Sequence, residues 1–153
     1  MMRIRREPAL PSRREQILAA LGQRLQSGVA ATVRRNEALP ERVPGQGLVI
    51  LRDGDPGEPD VTLNPRTEFY SHRVELELFV TQPTAGGGEA LLDALVTDVH
   101  AALAPDPSLG GLAENLVVTA PETGVLAVEG AVPVLTARLT IFVDYLVSDP
   151  LAA

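Results

Sequence analysis

From Pro133 to Val147 every second residue is apolar or aromatic: Pro133, Leu135, Ala137, Leu139, Ile141, Val143, Tyr145 and Val147 share one parity. The opposite parity carries Thr136, Arg138, Thr140, Phe142 and Asp144. Successive strand side chains point to opposite faces, so a run of this length commits the segment to one extended strand. One of its faces lies in a core and the other meets water or a neighbour. A second run, Phe69 to Thr81, repeats the pattern, with His72, Val74, Leu76, Leu78 and Val80 on one face and Arg73, Glu75, Glu77 and Phe79 on the other. Two long half-buried strands need a covering layer.

Two helices supply it. Pro11-Ser12-Arg13-Arg14-Glu15 is a start signal in which Ser12 caps and Glu15 stands at the reciprocal position of a capping box. The apolar stripe that follows is Ile17, Leu18, Leu21 and Leu25, and Gly28 is expected to end the helix in a left-handed turn. Glu89 opens the second helix, whose Leu92, Leu95, Val96, Val99 and Leu103 recur at helical spacing before Ala104-Pro105 stops it.

The remaining segments read as shorter strands and loops. Val29, Ala31 and Val33 alternate with Thr32 and Arg34 as in a strand, and residues 36 to 47, with Pro40, Pro44, Gly45 and Gly47, form a loop. Leu48 to Arg52 is a short strand that runs into a turn over Asp53 to Asp60, and Val61 to Leu63 resumes the sheet before Pro65. Between Asp106 and Gly130, Leu109-Gly110-Gly111-Leu112 reads as a turn and Leu116 to Thr119 as a strand. The order predicts an α+β fold of two layers, a mostly antiparallel or mixed sheet with two main helices packed on one face. A chain of 153 residues fits a single domain over 1–153, with 1–11 expected as a flexible arm and 148–153 as a flexible tail.

Composition narrows the chemistry. The chain has no Cys, which removes disulfides, thiolate metal sites and a Cys nucleophile. Aromatics make up 3% and Trp is absent, a poor basis for stacking single-stranded nucleic acid. Arg3, Arg5 and Arg6 are not followed by a signal-type apolar run, and no stretch approaches the roughly 20 apolar residues of a membrane span, so a soluble intracellular protein is expected. The net charge of −7 is uneven: through Arg73 twelve Arg face nine carboxylates, and beyond it only Arg138 faces eleven, or about +3 and −10. Either the charges intermix on the folded surface, or they occupy different faces and let one copy meet the next.

No motif specifies catalysis. Asp53, Asp55, Glu58 and Asp60 offer the oxygen ligands that Ca²⁺ takes, but they lack the spacing and terminal Glu of an EF-hand and read as a solvated turn. His72 and Glu75 have opposite strand parity, so they do not form an acid–base pair; His72 is expected to be structural, and His100 suits a helix C-terminal turn. Gly86-Gly87-Gly88 before Glu89 lacks the Lys and Ser/Thr of a phosphate loop. The Arg-rich start, including Arg13 and Arg14, is either a mobile tail or a contact to an acidic neighbour.

Several segments carry a resemblance: the early helix ending at Ser27-Gly28, Val33-Arg34-Arg35-Asn36, Val49-Ile50-Leu51-Arg52-Asp53-Gly54-Asp55, His72-Arg73-Val74-Glu75-Leu76-Glu77, Leu109-Gly110-Gly111-Leu112 and Phe142-Val143-Asp144-Tyr145. In layout and texture the chain resembles the phage tail terminators and tail-completion proteins of the minor tail protein U type. The resemblance implies a structural phage or prophage protein that forms a ring, typically hexameric, at the end of the tail tube. Such a ring halts tube polymerisation and offers a surface to the head–tail connector, while DNA passes through without specific binding. It further implies a host-cytoplasmic protein during assembly and a virion-tail protein afterwards, with no cofactor, no metal and no catalytic residue. Arg34, Arg35, Asp53, Asp55 and Arg73 are the candidates for intersubunit or tube contacts. The alternatives are a head–tail stopper, a small enzyme such as an acyl transferase, and a ligand-binding module with an apolar pocket between helices and sheet.

Overall fold

The chain's structure, a computed structural model, describes residues 10–39, 42–82, 86–127 and 132–152. Its elements in order are α1 (Arg13–Gly28), β1 (Thr32–Arg35), β2 (Leu48–Asp55), β3 (Asp60–Thr62), β4 (Thr67–Thr81), α2 (Gly88–Leu103), β5 (Asn115–Val118), β6 (Glu122–Leu126) and β7 (Val134–Val147). They build an α+β fold with a seven-stranded mixed sheet ordered β1-β2-β4-β7-β5; β3 pairs with β4, and β6 pairs with β7 beside β5.

The two long alternating strands form the centre. β4 and β7 pair antiparallel from Glu68↔Val147 to Thr81↔Val134 without interruption. Their shared apolar parity, Val74, Leu76, Leu78, Leu139, Ile141 and Val143, joins Val49 and Leu51 of β2 in one buried core. Ile17, Leu18, Leu21 and Leu25 of α1 and Leu92, Leu95, Val99 and Leu103 of α2 close over it from one side. Each fully buried Leu or Ile contributes about 1.5–3 kcal/mol of transfer free energy. The opposite face is not purely solvated. Phe79, placed by parity on the outer face, is buried there with Leu48 and Ile50 under Val43 and Val134.

Several local expectations change. Ser12 Oγ accepts from the Glu15 N–H at 3.2 Å, but the Glu15 carboxylate does not return to Ser12; both its oxygens accept from Arg35 at 2.7 Å. Gly28 does not end α1 in a left-handed turn: it remains helical, and the capping residue Val29 is extended. Its lack of a side chain serves helix packing, since a Cβ there would lie 2.5 Å from the Ala102 Cβ of α2. The Asp53–Asp60 segment is not all turn, because β2 continues to Asp55 through an irregularity after Arg52. Gly54, at φ +68°, makes that irregularity, and a side chain there would run into the Arg73 carbonyl. Glu122–Leu126 is a strand that the sequence pattern does not announce. Pro150–Ala152 forms a short 3-10 turn within the expected tail, while residues 1–9 of the expected arm and Pro40 of the expected loop lie outside the described residues.

Candidate functional site

The five candidate residues fall together where β1 and β2 finish, beside the middle of β4. Arg34 and Arg35 close β1, Asp53 and Asp55 close β2, and Asp55 stands opposite Arg73 of β4. They divide into two groups. Arg35 is an internal clamp: its guanidinium donates from Nη1 and Nη2 to Glu15 of α1 at 2.7 Å, and from Nε and Nη2 to Asp53 at 2.7 and 3.0 Å. The paired carboxylates hold the Arg35 proton well above the usual guanidinium range, and hydrogen bonds from Arg35 hold Glu15 and Asp53 below the usual carboxylate range. Arg34, Asp55 and Arg73 face outward. Arg34 has one long ion pair, 3.7 Å to Glu37, Arg73 reaches Glu75 at 3.9 Å, and Asp55 accepts the Gly57 N–H within its own turn at 2.8 Å.

Behind the clamp lies a group of polar and aromatic side chains whose contacts the sequence analysis did not assign. The irregularity at Gly54 turns the Asp53 carbonyl inward, where His72 Nε2–H donates to it. His72 is 2% exposed, and burial lowers its pKa below the ordinary 6.5, so the imidazole is neutral. Its ring lies 6.2 Å from that of Tyr145, which stacks on Tyr70 at 5.4 Å. The Tyr70 hydroxyl donates to Glu68 at 2.9 Å, and Arg66 donates to the other Glu68 oxygen at 2.8 Å. The Tyr145 hydroxyl is buried with no partner among the described residues. Same-parity positions on β4 would have flagged Glu68, Tyr70 and His72 as neighbours; Tyr145 joins them only through the β4–β7 register.

The second ordered cluster surrounds Asp106. Its carboxylate accepts from the Ser108 hydroxyl at 2.6 Å, from the Ser108 and Gly110 N–H groups, and from Arg24 of α1 at 2.7 Å. These bonds, led by the Ser108 hydroxyl, lower the Asp106 pKa well below the carboxylate range and fix the Leu109–Leu112 turn against α1. A groove of about 660 Å³ runs between α2 and the β5 strand, lined by Val96, His100, Leu103, Leu116, Val118 and Leu139. Among the described residues no group of three or more His, Cys, Asp or Glu is placed to hold a metal ion, and no helix is long and apolar enough to cross a membrane. Asp53, Asp55, Glu58 and Asp60 do not converge, since Asp53 serves the Arg35 clamp and Asp60 opens β3. No protein-family model matches the chain, and no curated protein is recognisably similar to it.

Proposed function

We propose that the chain is a structural phage or prophage protein that assembles with copies of itself into a ring at the end of a tail tube. There it stops tube polymerisation and presents the joining surface for the head connector. The hexameric number and the tail location come from the resemblance. The observation that carries the reading is the difference in charge between the two edges of the sheet. Residues 13–35, which build α1 and β1, hold five Arg and one carboxylate; residues 88–126, which build α2, β5 and β6, hold six carboxylates and neither Lys nor Arg. β1, with Arg34 and Arg35, and β5 and β6, with Glu122 and no Arg, lie at opposite ends of the sheet, while α1 and α2 pack against each other and Arg24 pairs with Asp106 between them. A body charged in this way attracts its own copies head to tail. The buried, carbonyl-bonded His72 fits a structural role better than that of an acyl-transfer base.

Solution mass across protein and salt concentration, followed by imaging with purified tail tubes, tests the reading. Salt-sensitive oligomers or rings capping tube ends are expected. A protein that binds filled heads and ignores tubes is a stopper, and one that stays monomeric and binds neither is not an assembly protein. The groove beside α2 favours one second reading, a ligand-binding module, in which apolar probes would bind there with affinity lost on Leu116→Glu.

A further inference from the structure

The sheet ends in two unlike edges. At one edge, Thr32 N–H donates to the Gly47 carbonyl and Asn36 N–H to the Leu51 carbonyl. The alternation of a parallel ladder therefore turns the N–H and C=O groups of Val33 and Arg35 away from β2, unpaired within the sheet. At the other edge, β6 pairs among the described residues only with β7, and every one of its residues is exposed, Val125 at 60% and Leu126 at 44%. Folded proteins blunt such edges with Lys, an inward-pointing charge or a bulge. β6 has neither Lys nor Arg, and Pro121 lies just before it rather than within it.

The register shows how these edges match. Arg34 stands opposite Ile50, Ile50 opposite Glu77, Glu77 opposite Arg138, and Arg138 opposite Glu122. One level across the outer face therefore begins at Arg34 on β1 and ends at Glu122 on β6, with Glu77 and Arg138 alternating in sign between them. The next level runs Thr32, Leu48, Phe79, Thr136 and Gly124. β1 runs with β2, β4 runs against β2, β7 against β4, and β6 against β7, so β6 runs opposite to β1. A second copy continuing the sheet in the same orientation would present β1 antiparallel to β6. Arg34 would then come level with Glu122, and Thr32 with Gly124. Arg34 is 57% exposed beyond its weak pair with Glu37, and Glu122 makes no ion pair among the described residues.

We infer that copies of this chain join edge to edge, β1 of one pairing antiparallel with β6 of the next, with Arg34 and Glu122 closing the charge row across the junction. The inference rests on the ring reading and supplies its subunit contact. The two surfaces differ, so each added copy leaves one free β1 edge and one free β6 edge, as ring closure or a growing stack requires.

Arg34→Glu and Glu122→Arg variants test it, each first shown by circular dichroism and thermal melting to be folded like the wild type. Assembly is measured by light scattering and by capping of tube ends. Each variant alone should need a roughly tenfold or higher concentration to assemble, because like charges meet at every junction. An equimolar mixture of the two should recover assembly, since copies that alternate bring opposite charges together at every junction. The double variant, with both charges exchanged, should recover it as well. Folded variants that assemble at the wild-type concentration, or a mixture that fails to recover, would overturn the edge contact and leave the ring reading standing. A wild-type protein that never self-associates, in solution or on tubes, would remove both.

Discussion

Replacing Tyr145 with Phe should stabilise this protein, although it deletes a polar group from the interior. The Tyr145 side chain is fully buried, and its hydroxyl has no partner among the described residues. An unsatisfied buried hydroxyl costs about 1–3 kcal/mol relative to hydration in the unfolded chain. Phe keeps the ring that stacks on Tyr70 at 5.4 Å, and it removes one oxygen without opening a sizeable cavity. The expected gain at neutral pH is therefore about 1 kcal/mol. With an m-value of about 2 kcal/mol/M, the urea midpoint should rise by about 0.5 M at unchanged slope, and Tm by about 2–4 °C. Alkaline pH gives a second signature. Burial raises the Tyr145 pKa above 10, so the folded state keeps its proton while the unfolded tyrosine ionises. Wild-type stability is thus lost as pH rises above 10, and the advantage of Tyr145→Phe should widen there. A variant about 1 kcal/mol less stable than wild type at pH 7 would refute the reasoning, because it would mean that the hydroxyl is hydrogen-bonded in the folded protein.

Three further perturbations follow from the same geometry. His72 is neutral when folded, with its pKa lowered first by burial, so stability present above pH 6.5 is lost as pH falls through that value; His72→Gln, which still donates to the Asp53 carbonyl, should flatten the urea midpoint between pH 6.5 and 5. Arg35→Ala breaks a clamp whose carboxylates are partly exposed, so it should cost only about 1 kcal/mol, and high salt in parallel urea titrations should shrink the difference. Gly28→Val forces α1 away from α2 at Ala102 and should cost about 2 kcal/mol by thermal melting, with part of the loss restored by Ala102→Gly; a neutral Gly28→Val would show that the helices are not in close contact there.

The parts of the fold legible in the sequence are those in which one face is buried and the other is not. β4, β7 and both helical stripes carry that contrast, and most of their core residues are the ones expected; Val96 is only partly buried, Pro133 is exposed ahead of β7, and Phe79 is buried on the other face. β6 carries no such contrast: all of Glu122–Leu126 is exposed, so no buried parity marks it. Gly28 was visible, but a glycine that ends a helix and one that lets two helices touch look the same in sequence. The parallel pairing of β1 with β2 was also hidden, because their connection carries loop residues rather than a crossover helix. At the candidate site, individual charges were readable and their pairing was not. Arg35 meets Glu15 and Asp53 only because three elements converge, and this convergence separates it from Arg34, its more exposed neighbour in sequence.

The β4–β7 ladder also governs how the chain reaches its native state. Between Thr81 and Val134 lie α2, β5 and β6, so β4 meets β7 only by closing a loop that contains all three elements. Until then β4 has only β2 and the short β3 beside it, and its other edge, the longest in the protein, stands bare. Local hairpins cannot relieve this, since β6 and β7 form one without β4. Closing the centre of the sheet is therefore a long-range event of the kind that slows folding. The internal β4–β7 junction must therefore be complete before the outer edges, β1 and β6, stand in their native places in the sheet.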